Sequence, residues 1–259
     1  MLRTDLSDVT PEIARAAIRT DDFTGPTTGI AKGYLQANLV ILPKSDAYDF
    51  LLFCVRNPKP CPLLDVTDAG SPQPLQAAPA ADLRFDLPRY RVYERGQVVA
   101  EPTSIAEWWR EDLVAFLLGC SFSFERELER RGIPMRHWQA GTNVAMYRTN
   151  RRCLPAGRFH GPLVVSMRPI PESRVAETVE VTSGFPQAHG APVQVGSPPE
   201  LDIEDLDRPD WGDLPRSEPG DVPVFWACGV TPQAMIQESK PGFVITHAPG
   251  HMFITDLKI

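Results

Sequence analysis

The sequence has no long apolar run. None of its 259 residues belongs to a stretch of the roughly 20 apolar residues that would cross a bilayer, and Met1 to Thr20 lacks the basic-then-apolar order of a secretory leader. A cytoplasmic protein without a membrane partner is the expectation. Cysteine is sparse: Cys54, Cys61, Cys120, Cys153 and Cys228 are odd in number, scattered and without a C-x-x-C pair, which argues for free thiols over a disulfide framework or a zinc knuckle. Positive charge is too thin for a nucleic-acid groove, with 26 Lys and Arg against 33 Asp and Glu and a formal charge of −7. Also missing are the G-x-x-x-x-G-K-[ST] phosphate loop, a G-x-G-x-x-G after a strand, the H-E-x-x-H zinc helix and the G-x-S-x-G elbow. These absences leave proton-transfer chemistry on a small anion, with a small carboxylate or amino acid as substrate and a homodimer compatible with the sequence.

What is present describes an ordinary folded chain, with 42% hydrophobic and 23% charged residues and length enough for one large core or two modest ones. Proline is abundant at 27 residues, interleaved with apolar runs, so it marks ordered turns. Thr10-Pro11-Glu12 reads as a helix start ahead of Ile13, Ala14, Ala17 and Ile18. A glycine-bearing loop over residues 24–33 leads into a strand at Tyr34 to Leu42 and a helix at Asp46 to Arg56. Residues 90–99 alternate about Arg95-Gly96 as a hairpin would. Ser104 and Glu107 match a capping box and predict a helix running to Gly119, with Cys120 to Ser123 a tight joint before a second helix ending near Arg131. Strands are expected at 143–149, 163–167 and 192–195, and a terminal βαβ unit from Val222 to Ala227, Thr231 to Lys240 and Phe243 to His247. The fold class is therefore α/β, with residues 1–130 and 218–259 forming one domain and 131–217 an inserted α+β lobe.

Four segments carry candidate chemistry. WACGVTPQA places Cys228 at a strand end, Gly229 where a ligand can approach closely and Thr231 at a helix N-terminus suited to a carboxylate; a plain buried cysteine and an ordinary threonine cap are the bland alternative. GCSFSFE offers Cys120, Ser121, Ser123 and a carboxylate at a second helix start. Arg148, Arg158 and Arg168 are candidate carboxylate clamps around His160. ITHAPGHMFITD sets His247 and His251 about a turn, for proton transfer or for a divalent ion shared with Asp256. Asp65 and Asp68 are the reserve pair for a base or a metal. No cofactor is required by the sequence, and a divalent cation such as Mn²⁺ is compatible with it.

The strings GPTTGIAKGYLQANLVILP, FCVRNPKPCPLLDVTDAG, FLLGCSFSFE, AGRFHGPLVVSMRP, FWACGVTPQA and ITHAPGHMFITD resemble the D-glutamate cyclase-like hydro-lyases, in family order from about Gly25 to Asp256. The resemblance implies a three-layer α/β domain joined to a smaller α+β domain, and conversion of D-glutamate to 5-oxo-D-proline with loss of water. For that chemistry the residues offer a carboxylate site at the turn of Gly229 to Thr231 with an arginine, His160, His247 or His251 for proton transfer, and Cys228 or Cys120 near the reacting centre, roles that no family motif fixes. Gly184 stands where the family pattern leads us to expect arginine. Two other functions fit the same residues: a cofactor-independent racemase or epimerase using Cys120 and Cys228 as opposed thiols, and a small-molecule-binding protein without catalysis.

Overall fold

A computed structural model describes residues 2–259. The elements run α1 (Pro11–Arg19), β1 (Tyr34–Pro43), α2 (Lys44–Arg56), β2 (Leu63–Val66), β3 (Tyr90–Glu94), β4 (Gln97–Ala100), β5 (Leu113–Gly119), α3 (Phe122–Arg130) and α4 (Arg136–Ala140). They continue as β6 (Ala145–Arg152), β7 (Pro162–Pro171), α5 (Val175–Ser183), β8 (Gln194–Val195), β9 (Asp221–Ala227), α6 (Thr231–Ser239), β10 (Phe243–His247) and β11 (Phe253–Lys258). The fold is α/β, with helices packed around two sheets.

The larger sheet has the order β2-β5-β1-β10-β3-β4, with β11 added beside β1, and the smaller one the order β6-β7-β9-β8. Every pairing is antiparallel, which corrects the expectation of a terminal βαβ unit: β9 lies in the smaller sheet and β10 in the larger. A boundary at residue 218 would assign β9 to the larger domain, whereas its hydrogen bonds join β7 and β8.

The predicted helix ending at Gly119 is instead a short 3-10 turn, Ala106–Trp108, followed by β5. All seven residues of β5 are buried, Leu113, Ala115 and Leu117 in one core and Val114, Phe116 and Leu118 in another. A strand covered on both faces is continuously apolar and loses the alternation that distinguishes it from a helix. Cys120 to Ser123 is thus the joint between a strand and a helix.

At the centre, β1 pairs along one side with β5 from Ala37 to Pro43. Its other side is divided: Tyr34 to Ala37 pair with β11, and Val40 and Ile41 with β10. Between these pairings the chain leaves the sheet through the Ala248–Met252 turn. Diverging neighbours leave a crevice and unpaired backbone groups, which must find other partners. The glycine-bearing loop closes over this gap, Thr27 N–H donating to Gly250 O at 2.8 Å and Met252 N–H to Thr27 Oγ1 at 2.9 Å.

Candidate active site

Two strand-to-helix joints, one from each sheet, meet beside that gap. Cys120 follows β5 and precedes α3; Cys228 follows β9 and precedes α6. The chain turns helical at once after Cys120, with Ser121 at φ −60°, ψ −19°, and two residues after Cys228, with Val230 at φ −78°, ψ −11°. Cys120 O accepts Ser123 N–H at 3.1 Å and Cys228 O accepts Thr231 N–H at 3.0 Å. The backbone N–H groups of Phe122 and Val230 favour the charged form of the two sulfurs. At each joint it is therefore the cysteine's carbonyl that satisfies a donor of the first helical turn. Among the described residues, the N–H groups of Ser121 and Gly229 have no protein acceptor. These two donors, at the positive ends of two helices, suit a developing negative charge.

The joints enclose a cavity of about 10 Å³ with Cys120, Ser121, Cys228 and Gly229 in its wall, together with Asn38, Asn143, Phe122 and Gly250. Asn38 Nδ2 donates to Gly119 O at 2.8 Å, tying the amide across β1 to the end of β5. A Cβ at Gly229 would stand 2.0 Å from Asn38 Nδ2, and one at Gly250 would stand 2.4 Å from Asn143 Nδ2. Glycine is the residue that lets both carboxamides approach the turns so closely. Asn143 Nδ2 donates to Pro249 O at 3.3 Å, and its N–H to Asp213 Oδ2 at 2.7 Å, latching the turn to the smaller sheet's side.

Beneath Ser121 lies a buried charge network. Arg168 Nη2 donates to Ser121 Oγ at 3.0 Å, Nη1 to Ser166 Oγ at 3.1 Å and Nε to Glu125 Oε1 at 2.8 Å. Glu125 also accepts from Trp138 Nε1 at 2.7 Å and Thr28 Oγ1 at 3.3 Å, and His137 Nε2 stands 3.1 Å away. Burial opposes ionisation of Glu125, yet the neighbouring His137 and Arg168 hold its pKa down to about 2. Because Ser121 Oγ accepts from Arg168, its own proton is free to point elsewhere.

The thiols behave oppositely. Burial pushes Cys120 well up and Cys228 up to about 11, despite the N–H groups at the sulfurs and the charge of Arg168. Desolvation outweighs the helix ends, so both are neutral thiols at pH 7, contrary to the lowered pKa that their helix-start positions alone suggest.

Residues 114–256 match the family model described as D-glutamate cyclase. A relative named "Putative hydro-lyase" from Thermoanaerobacter sp. (strain X514) is 60% identical over 248 residues, covering 96% of this chain and 94% of its own length. Its namesakes in Natranaerobius thermophilus and Bacillus velezensis are 59% and 56% identical, covering 94% and 99% of this chain and 94% and 97% of theirs. The chain belongs to the D-glutamate cyclase family. A solved structure, the nitrogen repressor-like protein from Methanococcus jannaschii, aligns with 96% of this chain and 98% of its own at 11% identity and a TM-score of 0.40, too low for a shared fold to follow.

In this family member, Cys120, Ser121, Cys228 and Gly229 line one cavity. Ser123 and Thr231 are structural: Ser123 Oγ accepts Gln36 N–H at 3.0 Å, and Thr231 Oγ1 accepts Val164 N–H at 3.1 Å. Arg168 acts from behind the wall. Arg148 lies at the surface against Gln237 and Trp211, and Arg158 near Asp46. His160 is at the surface beside Glu238, its N–H donating to Ser239 Oγ at 2.9 Å. That is the C-terminal end of α6, whose N-terminus faces the cavity, so His160 stands more than two helical turns from it.

His247 is fully buried and caps the gap in β1: its Nδ1 accepts Leu39 N–H at 3.1 Å, leaving Nε2 without a partner. Burial lowers its pKa to about 3. His251 sits between the wall residues Gly250 and Met252, its ring held to Pro249 O at 3.0 Å and its pKa lowered by burial. Asp65 spends Oδ2 on the N–H groups of Gln76 and Ala77 at 2.7 and 2.8 Å and Oδ1 on Val66 N–H at 2.9 Å, while Asp68 is exposed. Among the described residues no three His, Cys, Asp or Glu side chains gather in a metal-ligating group, and no helix is long and apolar enough to cross a membrane. Gly184 ends α5 and does not line the cavity.

Sequence reasoning passed over Asn38, Asn143 and Gly250. Asn38 and Gly250 had a visible signal: a buried-looking amide within a largely apolar strand, and a glycine between the two histidines. Asn143 had none, since its role depends on which turn it meets.

Proposed function

We propose that the chain is a carbon-oxygen hydro-lyase acting on D-glutamate at the Cys120–Cys228 cavity, giving 5-oxo-D-proline and water. The observation that carries this reading is the convergence of two unpaired N–H donors, at Ser121 and Gly229, with two neutral thiols in one wall. Ring closure forms a bond between the α-nitrogen and the δ-carbon and breaks one bond from that carbon to oxygen. The ammonium sheds two protons, and both leave with the departing oxygen as water. His251, kept neutral by burial beside Gly250, is the proton acceptor. The Ser121 and Gly229 N–H groups hold the oxyanion, and a Cys120 or Cys228 thiol supplies the proton to the leaving oxygen.

Because about 10 Å³ holds no more than about one water, the walls must part to admit substrate. The test is NMR of purified protein with D- and L-glutamate, with and without Mn²⁺. Appearance of 5-oxoproline from the D-isomer is expected; no product from folded protein under either condition sinks the reading and favours a binding protein without catalysis.

A second reading rests on the same pair of cysteines: proton exchange at an α-carbon by opposed thiols. Solvent deuterium separates the two. Label at the α position, with loss of turnover in both Cys120→Ser and Cys228→Ser, would favour the racemase; unlabelled 5-oxoproline favours cyclisation.

A further inference from the structure

A second, larger cavity of about 150 Å³ lies outside the first, with Arg3, Thr28, Lys32 and Trp138 in its wall. Lys32 Nζ stands 5.1 Å from the centre of the Trp138 ring and 3.4 Å from Glu129 Oε2, a solvent-accessible pair. Arg3 has no ion-pair partner among the described residues. The pocket thus offers one unpaired cation, one weakly paired cation and an aromatic face.

A small void of about 10 Å³ continues inward from it, shared with Lys32 and Trp138 and lined by Gln36, Phe122 and Arg126. Gln36 donates Nε2 to Thr27 O and Ile30 O at 2.9 and 3.2 Å, and its buried Oε1 has no partner. A buried amide oxygen without a donor is costly, and an ammonium group would satisfy it. Phe122 also lines the Cys120–Cys228 cavity, so one ring separates outer from inner space. Trp138 and Thr28 hydrogen-bond Glu125, which holds Arg168, which in turn holds Ser121.

We propose that this outer pocket is a binding subsite for a small amino dicarboxylate, which docks a carboxylate on Arg3 and Lys32, presents its ammonium to Gln36 Oε1, and passes Phe122 to reach the thiols. The subsite rests on the reading of the inner cavity as the place of reaction, though its binding is measurable without turnover. Glu129 competes with the incoming carboxylate for Lys32. Arg3 and Lys32 hold substrate before chemistry and are left behind when it passes Phe122, so their loss raises KM without lowering kcat.

The test is titration of the full chain with D-glutamate and with glutarate, which lacks the ammonium, read by tryptophan fluorescence with Trp138→Phe as the control. 19F NMR of the fluorotryptophan-labelled wild type replaces that control if the variant does not fold. Arg3→Gln with Lys32→Gln is expected to weaken D-glutamate at least about tenfold, Glu129→Gln to tighten it, and glutarate to bind more weakly than D-glutamate. Unchanged affinity in the double variant, or a Trp138 signal that ignores both ligands, overturns the subsite. Binding lost in the double variant but never followed by 5-oxoproline upholds the subsite and sinks only the cyclisation reading.

Discussion

Arg168 and Glu125 form an ion pair with both side chains withdrawn from water, 1% and 0% exposed, and the Arg168 guanidinium packs over the adjacent rings of Phe124 and Trp226 at 5.2 and 5.4 Å. Such a pair adds little net stability over apolar residues of the same shape, but removing one member strands a buried charge. Glu125→Gln and Arg168→Met are each expected to lower the unfolding free energy by about 3–5 kcal/mol, read by urea denaturation at pH 7. The two together should cost less than the sum of the single changes, because neither charge is then left alone. Additive losses would show that the pair is not coupled as drawn.

Glu125 and the buried histidines tie stability to pH in two separate windows. His247 and His189, with pKa values lowered to about 3 and about 4 by burial, stay neutral in the fold while the unfolded chain takes up protons near 6.5. Their contribution is complete above pH 6.5 and declines below it, by up to about 1.4 kcal/mol per pH unit for each ring. Glu125, near 2 in the fold against 4.5 for the free group, contributes stability that is present above pH 4.5 and lost as the pH falls towards 2. Urea midpoints should therefore drop between pH 7.5 and 5, before carboxylates protonate, and His189→Gln should flatten that part of the curve. A midpoint constant over that range would contradict it.

The predicted strand at 34–42 and the helices at 46–56 and 231–240 match β1, α2 and α6 within two residues, because a Pro or Gly punctuates each and the intervening pattern is unambiguous. β5 was misread because burial on both faces erased its period. The Cys228 joint was legible as a cysteine and a glycine at a strand-helix boundary, and Cys120 to Ser123 as a joint ahead of α3, although a helix was expected where β5 precedes it. Their convergence was not, since it depends on two sheets meeting. The misplaced candidates share one cause. Arg148, His160 and Asp65 have suitable chemistry, but the register of β6, the far end of α6 and the backbone of residues 76–77 claim them first.

His160→Ala is the control for this distinction. The ring touches Glu238 at the surface, so its loss is worth no more than about 1 kcal/mol of stability and should leave turnover within about twofold. His251→Ala, at the cavity's edge, should reduce kcat by about 10²-fold or more. Equal effects would dissolve the assignment of His251.

Gly229→Ala and Gly220→Ala separate close approach from backbone strain. The first has a negative φ but would drive a methyl to within 2.0 Å of Asn38; the second has φ +86° and nothing within 4 Å. Gly220→Ala should cost about 1 kcal/mol and spare activity, whereas Gly229→Ala should displace Asn38 from Gly119 O and abolish turnover. Gly229→Ala with wild-type activity would mean that Asn38 does not form the wall.

The thiols offer the sharpest chemical check, because their protonation decides between the two proposed reactions. A thiol pushed up to about 11, as at Cys228, is almost wholly protonated at pH 7, and Cys120 lies further up still. Both side chains are also buried. Iodoacetamide at pH 7.5 should therefore modify the folded chain far more slowly than the unfolded chain in urea, since the thiolate is the reacting species. If a thiol acts as proton donor in cyclisation, Cys228→Ser keeps an O–H at the same place and should retain measurable turnover, while Cys228→Ala loses more. Rapid alkylation of Cys120 or Cys228 in the folded protein, protected by substrate, would mean that a thiolate is present and that the site is arranged for proton exchange at carbon instead.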